Sequence, residues 1–304
     1  MKAPRHRAVE RSVLAFAGLL TLVVLALSAY LRFEAADLGC ADWPDCYARI
    51  AAVEQRAGGP VAALRRTTAS VLGLVALGYF FFALRRRRRR IAGTALVALT
   101  ALLAWVGVHT PSPLEPWVTL LNVTAGMALL GVYGGLWLHP DAPPPARWTG
   151  RRVAAGVGVG IVFAQIALGA WASAHYSEPA CPGLLCPADA SAVRIADAFD
   201  PTRRLAVAEG RVAVDGVSAV VQRAHRLGAL LAFLYIGALA LRALRTPAAR
   251  AAGLAVLALL LVQTALGFAG SLLGYPLWIA VGHNAVAAVL LLGAVRLYHV
   301  YARD

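Results

Sequence analysis

Eight runs of apolar residues constrain what this 304-residue chain can fold into. About 20 apolar residues cross a bilayer as a helix, and only helices or closed barrels satisfy their backbone hydrogen bonds in lipid. Barrel strands are much shorter, so the runs predict an all-α integral membrane protein with eight transmembrane helices. We interpret the first run as a retained span, because no small-residue cleavage site follows it. The predicted spans are roughly 12–32, 66–84, 91–110, 117–138, 152–174, 220–241, 251–271 and 277–298.

The charge pattern predicts an orientation. The net charge is +14, and the main basic clusters lie before the first run, in every second loop after it, and after the eighth run. These positions share one side, which the positive-inside rule makes the cytoplasm. Nucleic acid or anionic lipid is an alternative partner for the six arginines Arg85–Arg90, which we interpret as a topology anchor. The prediction is a multi-pass protein of a bacterial-type inner membrane, surrounded by lipid, with both termini cytoplasmic and no nucleic-acid partner.

All four cysteines lie in loops predicted on the opposite side. Cys40 and Cys46 follow the first run, and Cys181 and Cys186 follow the fifth. That compartment is oxidising, so each pair is expected to be a disulfide or a redox-active thiol pair. Metal ligation is the alternative, although no histidine lies between the members of either pair.

The chain contains an internal repeat. Residues 26–30 (ALSAY) match residues 167–171 (ALGAW) at an offset of 141, and residues 83–85 match residues 243–245 at an offset of 160. The change in offset predicts roughly 19 extra residues within about 187–220, obtained by subtracting 141 from 160. Four spans per repeat predict two tandem four-helix bundles, 1–140 and 141–304, related by a pseudo-twofold axis along the membrane normal.

Two histidines lie inside apolar runs of the second half. His225 and His283 occupy the sixth and eighth runs, which point the same way, so their imidazoles are expected at similar depth. Paired imidazoles inside a membrane bundle are typical axial ligands of haem iron, and small neighbours would let a flat macrocycle approach. Hydrogen bonding across helices is the alternative. Arg226 is a candidate partner for a haem propionate, or it extends to the lipid headgroups.

The repeat assigns different residues to the first half. His225 corresponds to Arg65, with Arg66 following, and His283 corresponds to Asn122 within one residue. The histidine site is therefore predicted once, in the second half. Among the other histidines, His109 and His175 are expected to be solvated or interfacial, because they lie at the outer ends of runs, and a role near haem is the alternative.

These motifs resemble the heme A synthase family. The stretch 38–47 (LGCADWPDCY) is similar to its Gly-Cys-Pro-Asp-Trp-Pro-x-Cys signature. The stretches 165–171 (QIALGAW), 224–229 (AHRLGA) and 283–288 (HNAVAA) resemble segments of its second half. The resemblance covers nearly the whole chain and is strongest in the second half.

The resemblance implies a haem protein with two bundles. The second bundle would hold haem b through His225 and His283, and the first would oxidise a methyl group of haem O to the formyl group of haem A. The family's first bundle carries a Glu-x-x-His-Arg motif and a further histidine. Here 62–66 reads AALRR and the other position is Asn122, so only Arg66 matches. The first-bundle ligands are therefore missing, and no catalytic residue is assigned.

Three functions remain open from the sequence. The first is haem O oxidation, with haem b as electron carrier, a haem O-producing enzyme and oxidase assembly factors as partners, and an unidentified electron acceptor. The second is a non-catalytic haem b protein for electron transfer or haem handling in oxidase assembly, which Arg65 and Asn122 favour. The third is a scaffold without haem, which His225 and His283 disfavour.

Overall fold

The computed structural model describes residues 3–36, 48–49, 59–85, 89–109, 114–138, 149–181 and 193–302. Within these ranges, eight helices are long and apolar enough to cross a membrane, which confirms the all-α prediction. The helices are α1 (Ala3–Ala35), α2 (Pro60–Leu84), α3 (Arg90–His109), α4 (Pro116–Leu138), α5 (Gly150–Ala174), the short α6 (Ile195–Ala198), α7 (Gly216–Leu244), α8 (Arg250–Leu272) and α9 (Leu277–Tyr301).

Local signals begin several of these helices. α2 and α4 start at Pro60 and Pro116, where a missing N–H costs nothing because the first-turn donors have no helical acceptor. Thr149 caps α5 by accepting a hydrogen bond from the Arg152 backbone N–H. The Asp215 side chain caps α7 in the same way, accepting from the Ser218 N–H at 3.0 Å.

Helix contacts form two rings of four. α1 and α3 each contact α2 and α4, while α5 and α8 each contact α7 and α9. The rings meet where α4 contacts α5 and α9 and where α1 contacts α9. If α1, α2, α3 and α4 are exchanged with α5, α7, α8 and α9 in that order, the pattern of contacts is unchanged, as a pseudo-twofold axis requires. The proposed boundary after residue 140 lies outside the described residues and stays a prediction.

Matching contacts recur in the two rings at the repeat offsets. A Cβ built on Gly93 would lie 2.8 Å from the Ala83 Cβ, so α2 and α3 pack closely. The corresponding distance from Gly253 to Ala243, each 160 residues later, is 2.7 Å. The repeat therefore specifies the same close helix crossing twice.

A contact between an arginine and an aromatic side chain also recurs, between the first and fourth helices of each four-helix ring. The Arg11 guanidinium carbon lies 5.9 Å from the Trp137 ring centroid. The Arg152 guanidinium carbon lies 5.2 Å from the Tyr298 ring centroid. The Nε and Nη2 atoms of Arg152 donate to the Tyr298 hydroxyl. These residues correspond at offsets of 141 and 161, so the repeat extends to the helix ends rich in arginine.

One apolar core crosses between the rings. Leu25, Met127 and Leu130 of the first ring belong to the same buried cluster as Ile236 and Leu291 of the second. The two rings are therefore packed against each other through a shared core.

The opposite ends of the helices carry a cap. We call this end of the bundle the cysteine side, because the connections 36–59 and 175–215, which contain the cysteines, join helices there. A two-stranded hairpin, β1 (Val207–Ala208) and β2 (Arg211–Val212), lies in the longer connection. Arg211 pairs with Arg49, and the Leu205 N–H donates to the Leu114 carbonyl at 3.0 Å. The short α6 and the hairpin both fall in the stretch where the repeat offset changes, so the inserted residues build a cap that reaches the first ring.

Candidate haem-binding site

The two membrane histidines lie in the same ring of helices. His225 is on α7 and His283 is on α9, and both helices run from the cysteine side toward the opposite side. Both side chains are half-buried, and each contacts a glutamine on a neighbouring helix of that ring. The structure therefore brings together the two residues that the sequence singled out. Their role as iron ligands stays a prediction.

A glutamine on α5 holds His225. The side-chain amide nitrogen of Gln165 lies 3.0 Å from Nδ1 of His225 and donates to the His225 carbonyl oxygen, also at 3.0 Å. The ring rests against the backbone of Gly169, where a built Cβ would lie 3.0 Å from Cε1 of His225. A side chain at 169 would crowd the imidazole, so the ring or the helix would have to shift to accept it.

The same arrangement recurs around His283. The amide nitrogen of Gln263, on α8, lies 3.0 Å from Nε2 of His283. A Cβ built on Gly267 would lie 3.3 Å from Cε1 of His283. The second ring thus has a local twofold pattern, in which each histidine faces a glutamine and a glycine one helical turn apart.

Sequence reasoning missed both glutamines as partners of the histidines. Residues 165–169 read QIALG and residues 263–267 read QTALG, so both helices carry Gln-x-Ala-Leu-Gly. The sequence signal for these partners was this five-residue match between α5 and α8, two helices that the longer internal repeat does not pair with each other. Only the fold shows that each copy faces one histidine.

The polar atoms around the histidines fit a haem with two imidazole ligands. Nδ1 of His283 and Oε1 of Gln165 and Gln263 are buried and have no hydrogen-bond partner among the described residues. Buried polar atoms without partners are rare in folded proteins and indicate unmet bonding capacity. Iron takes one nitrogen of a neutral imidazole, and a second polar group normally accepts from the other nitrogen. The Gln165 oxygen could supply such an acceptor at His225, and the two imidazoles offer the axial nitrogens, so the residues present fit the group.

The described residues contain no cluster of three or more histidine, cysteine or acidic side chains able to hold a metal ion by themselves.

Arg226 points to the cysteine side. Its guanidinium donates to the Cys181 carbonyl oxygen at 2.8 Å, and the Cys181 side chain is buried. The cation is therefore attached to the cap next to the histidine site. Contact of Arg226 with a haem propionate stays a prediction.

The prediction that His175 is solvated or interfacial was wrong. The side chain is 1% exposed, and its Nδ1 lies 2.9 Å from the Trp171 carbonyl oxygen. Burial lowers the pKa of His175, and Arg203 adds to that effect against the opposing Trp171 carbonyl and Asp215. Burial of His175 was invisible in the sequence because the covering cap comes from distant residues. His109, by contrast, is exposed as expected.

A chain of polar side chains links the helices under the cap. The Ser177 hydroxyl donates to Oε1 of Gln222 at 3.0 Å, and Nε2 of Gln222 donates to the Tyr275 hydroxyl at 3.3 Å. Ser271 lies 3.0 Å from the same hydroxyl. Gln222 is three residues before His225 on α7, so this chain holds the cysteine-side end of the histidine helix. Burial, with Glu178 adding to it, raises the pKa of the neighbouring Tyr176 to about 12.

The first ring lacks a matching arrangement among its described residues. The Nε atom of Arg65 is buried without a hydrogen-bond partner there, while Arg66 is exposed and Asn122 is half-buried. The roles of these three first-bundle candidates stay predictions.

The cysteine predictions fall mostly outside the described residues. Cys40, Cys46 and Cys186 lie there, and only Cys181 is described. Both pairings stay predictions.

Comparison with known proteins identifies the family. A family model described as "Cytochrome oxidase assembly protein" (COX15-CtaA) matches residues 63–295, well over half of the chain. A protein of Shewanella oneidensis named Heme A synthase is 29% identical over 309 aligned positions, which cover 90% of this chain and 91% of that protein. The matched range runs from α2 to α9 and includes both histidines. The resemblance drawn from the motifs is confirmed, and the chain belongs to the heme A synthase (COX15-CtaA) family of cytochrome oxidase assembly proteins.

Proposed function

We propose that this chain is a heme A synthase-like membrane haem protein. In this proposal it oxidises a methyl group of haem O to the formyl group of haem A for cytochrome oxidase biogenesis, and haem b in the second ring carries electrons. The observation that supports the haem b site is the pair His225 and His283, each facing a Gln-x-Ala-Leu-Gly helix. The family membership supports the reaction.

The residues of the second ring have separate tasks. His225 and His283 would hold the iron, and Gln165 and Gln263 contact their rings. Gly169 leaves space for the His225 imidazole beside α5. Haem bound through two histidines supplies a reversible Fe(III)/Fe(II) couple. The apolar helices around the site would limit the access of water to it.

The haem b site is tested by absorbance spectroscopy of the purified protein. We expect a low-spin spectrum with two histidine ligands and a pyridine haemochrome of haem b. His225→Ala and His283→Ala should each abolish that spectrum, while His109→Ala, which changes an exposed histidine, should preserve it. An unchanged spectrum in both core variants contradicts the ligand assignment.

A second candidate function is a non-catalytic haem b protein that carries electrons or handles haem during oxidase assembly. Arg65 and Asn122 favour it, because they stand where the family has iron ligands, and a guanidinium stays protonated and is a poor ligand. Co-expression with a haem O-producing enzyme, followed by haem extraction and chromatography, separates the two. Haem A in the extract supports oxidation, and its absence with haem b retained supports the second candidate.

The membrane setting is also part of the proposal. The chain is a multi-pass membrane protein with eight candidate spans. We place both termini in the cytoplasm and the cysteine side outside, with each cysteine pair as a disulfide or redox-active pair. Thiol labelling of intact cells with a membrane-impermeant reagent tests this: labelling at Cys40 or Cys46 only after reduction supports it, and no labelling after reduction contradicts the orientation.

A further inference from the structure

The two glutamines contact different nitrogens of their histidines. Gln165 reaches Nδ1 of His225 and also the His225 carbonyl, whereas Gln263 reaches only Nε2 of His283. Nδ1 is bonded to Cγ, which carries the side-chain stem, whereas Nε2 is on the far side of the ring, so a macrocycle approaches Nε2 with less crowding. Gln165 therefore leaves the accessible nitrogen of its histidine free, and Gln263 occupies the accessible nitrogen of the other.

From this difference we propose that Gln165 is a positioning residue that holds Nδ1 of His225 so that Nε2 faces the iron. Gln263 contacts Nε2 of His283, the atom that iron would need, so this contact would have to break when haem binds. The assignment rests on the proposed haem b site and gives the two ligands different freedom: two contacts hold His225, and one contact, which haem binding would break, holds His283.

The proton on His225 follows from its contacts. An amide nitrogen can only donate, so Nδ1 of His225 accepts in this structure, and the proton of the neutral ring is on Nε2. Iron at Nε2 requires that proton to move to Nδ1, which then needs an acceptor. Oε1 of Gln165 is buried without a partner among the described residues, and a half-turn of the amide brings it to Nδ1. The half-turn gives up the bond to the His225 carbonyl.

The proton on His283 is already where iron binding needs it. Nε2 accepts from Gln263, so the proton is on Nδ1 and Nε2 becomes free once the glutamine leaves. Nδ1 is buried and has no partner among the described residues, which makes this resting position costly. Gln263 has one contact with its histidine where Gln165 has two. His283 is therefore the ligand that moves more readily.

The experiment uses the detergent-purified full chain, loaded with hemin, and measures haem release to excess apomyoglobin. Gln165→Leu should release haem about 10–100-fold faster than the wild type, the range found when a ligand's hydrogen-bond partner is removed. Gln263→Leu should release haem no faster than the wild type and should take up hemin faster. Thr264→Val is the matched control, since its hydroxyl bonds only to the Leu260 carbonyl of its own helix.

The midpoint potential supplies a second measurement. Gln165→Glu keeps the shape of the side chain and offers a stronger acceptor to Nδ1–H, so it should retain haem and lower the midpoint potential. This variant decides the question if Gln165→Leu fails to fold. Equal acceleration of release in both leucine variants would indicate a shared packing role and overturn the proposal, as would an unchanged potential in Gln165→Glu. Retention of the two-histidine spectrum by His225→Ala would instead refute the haem site itself.

Discussion

A single methyl group at Gly169 tests whether the α5 backbone forms the wall behind His225. A Cβ there would lie 3.0 Å from Cε1 of the imidazole. Non-bonded carbons prefer about 3.5–4.0 Å, so the ring or the helix must shift by roughly 0.5–1 Å. Gly267 is a milder case, at 3.3 Å from His283, and Gly160 on α5 has nothing within 4 Å of its built Cβ.

The magnitude combines two opposing effects. Replacing glycine by alanine inside a helix stabilises folding by about 0.8–1 kcal/mol. Overpacking a well-filled site costs about 1–3 kcal/mol. Gly160→Ala should therefore raise the free energy of unfolding by up to about 1 kcal/mol. Gly169→Ala should lower it by up to about 2 kcal/mol, with Gly267→Ala between the two.

The assay pairs unfolding in mixed micelles with hemin titration of the haem-free protein. If moving the His225 imidazole costs haem binding about 1–2 kcal/mol, the haem affinity of Gly169→Ala should fall roughly 5–30-fold. Gly160→Ala should bind hemin as the wild type does. Equal affinity in all three variants would refute the conclusion that the imidazoles rest on these glycines.

Three further changes test other parts of the structure. Glu10→Leu removes the carboxylate that pairs with Arg89 in a buried contact, so the free energy of unfolding in detergent should fall by about 3–5 kcal/mol. Arg90→Gln, which changes an exposed arginine, should alter that free energy by less than about 1 kcal/mol. Burial lowers the pKa of His175 below its ordinary 6.5, so the unfolded state binds the proton more tightly and stability falls as pH drops below 6.5. His175→Phe should flatten that dependence in thermal unfolding scans between about pH 5 and 7. Arg65→Leu removes a cation whose Nε has no partner among the described residues, so it should not lower stability and should leave the haem spectrum unchanged.

The helices themselves were predictable from composition along the chain. Runs of apolar residues must form helices in lipid because no water is available for the backbone, and this rule ignores everything distant in sequence. The observed helices extend beyond the predicted runs, as at Gly216–Leu244, because capping by Asp215 and not hydropathy determines where α7 begins. The same rule could not foresee that residues 193–215 fold over both rings, since that cap depends on contacts such as Leu205 to Leu114.

The candidate site was predictable only in part. His225 and His283 stood out because an ionisable side chain inside an apolar run is costly in lipid and usually has a function. Their partners did not stand out, because Gln165 and Gln263 lie on helices 60 and 20 residues away from the histidines they contact. His175 was misjudged for the same reason, since its burial comes from residues beyond its own helix.

The sequence alone determined the membrane class, the eight helices, the tandem repeat and the location of the histidine pair in the second half. These depend on local hydrophobicity and on matching at fixed offsets, and both can be read along one dimension. The tertiary structure alone decided which helices face each other, and so which nitrogen of each imidazole is held and which is free. That difference arises from the separate contacts of Gln165 and Gln263, because a hydrogen bond depends on distance and direction in space and not on separation along the chain.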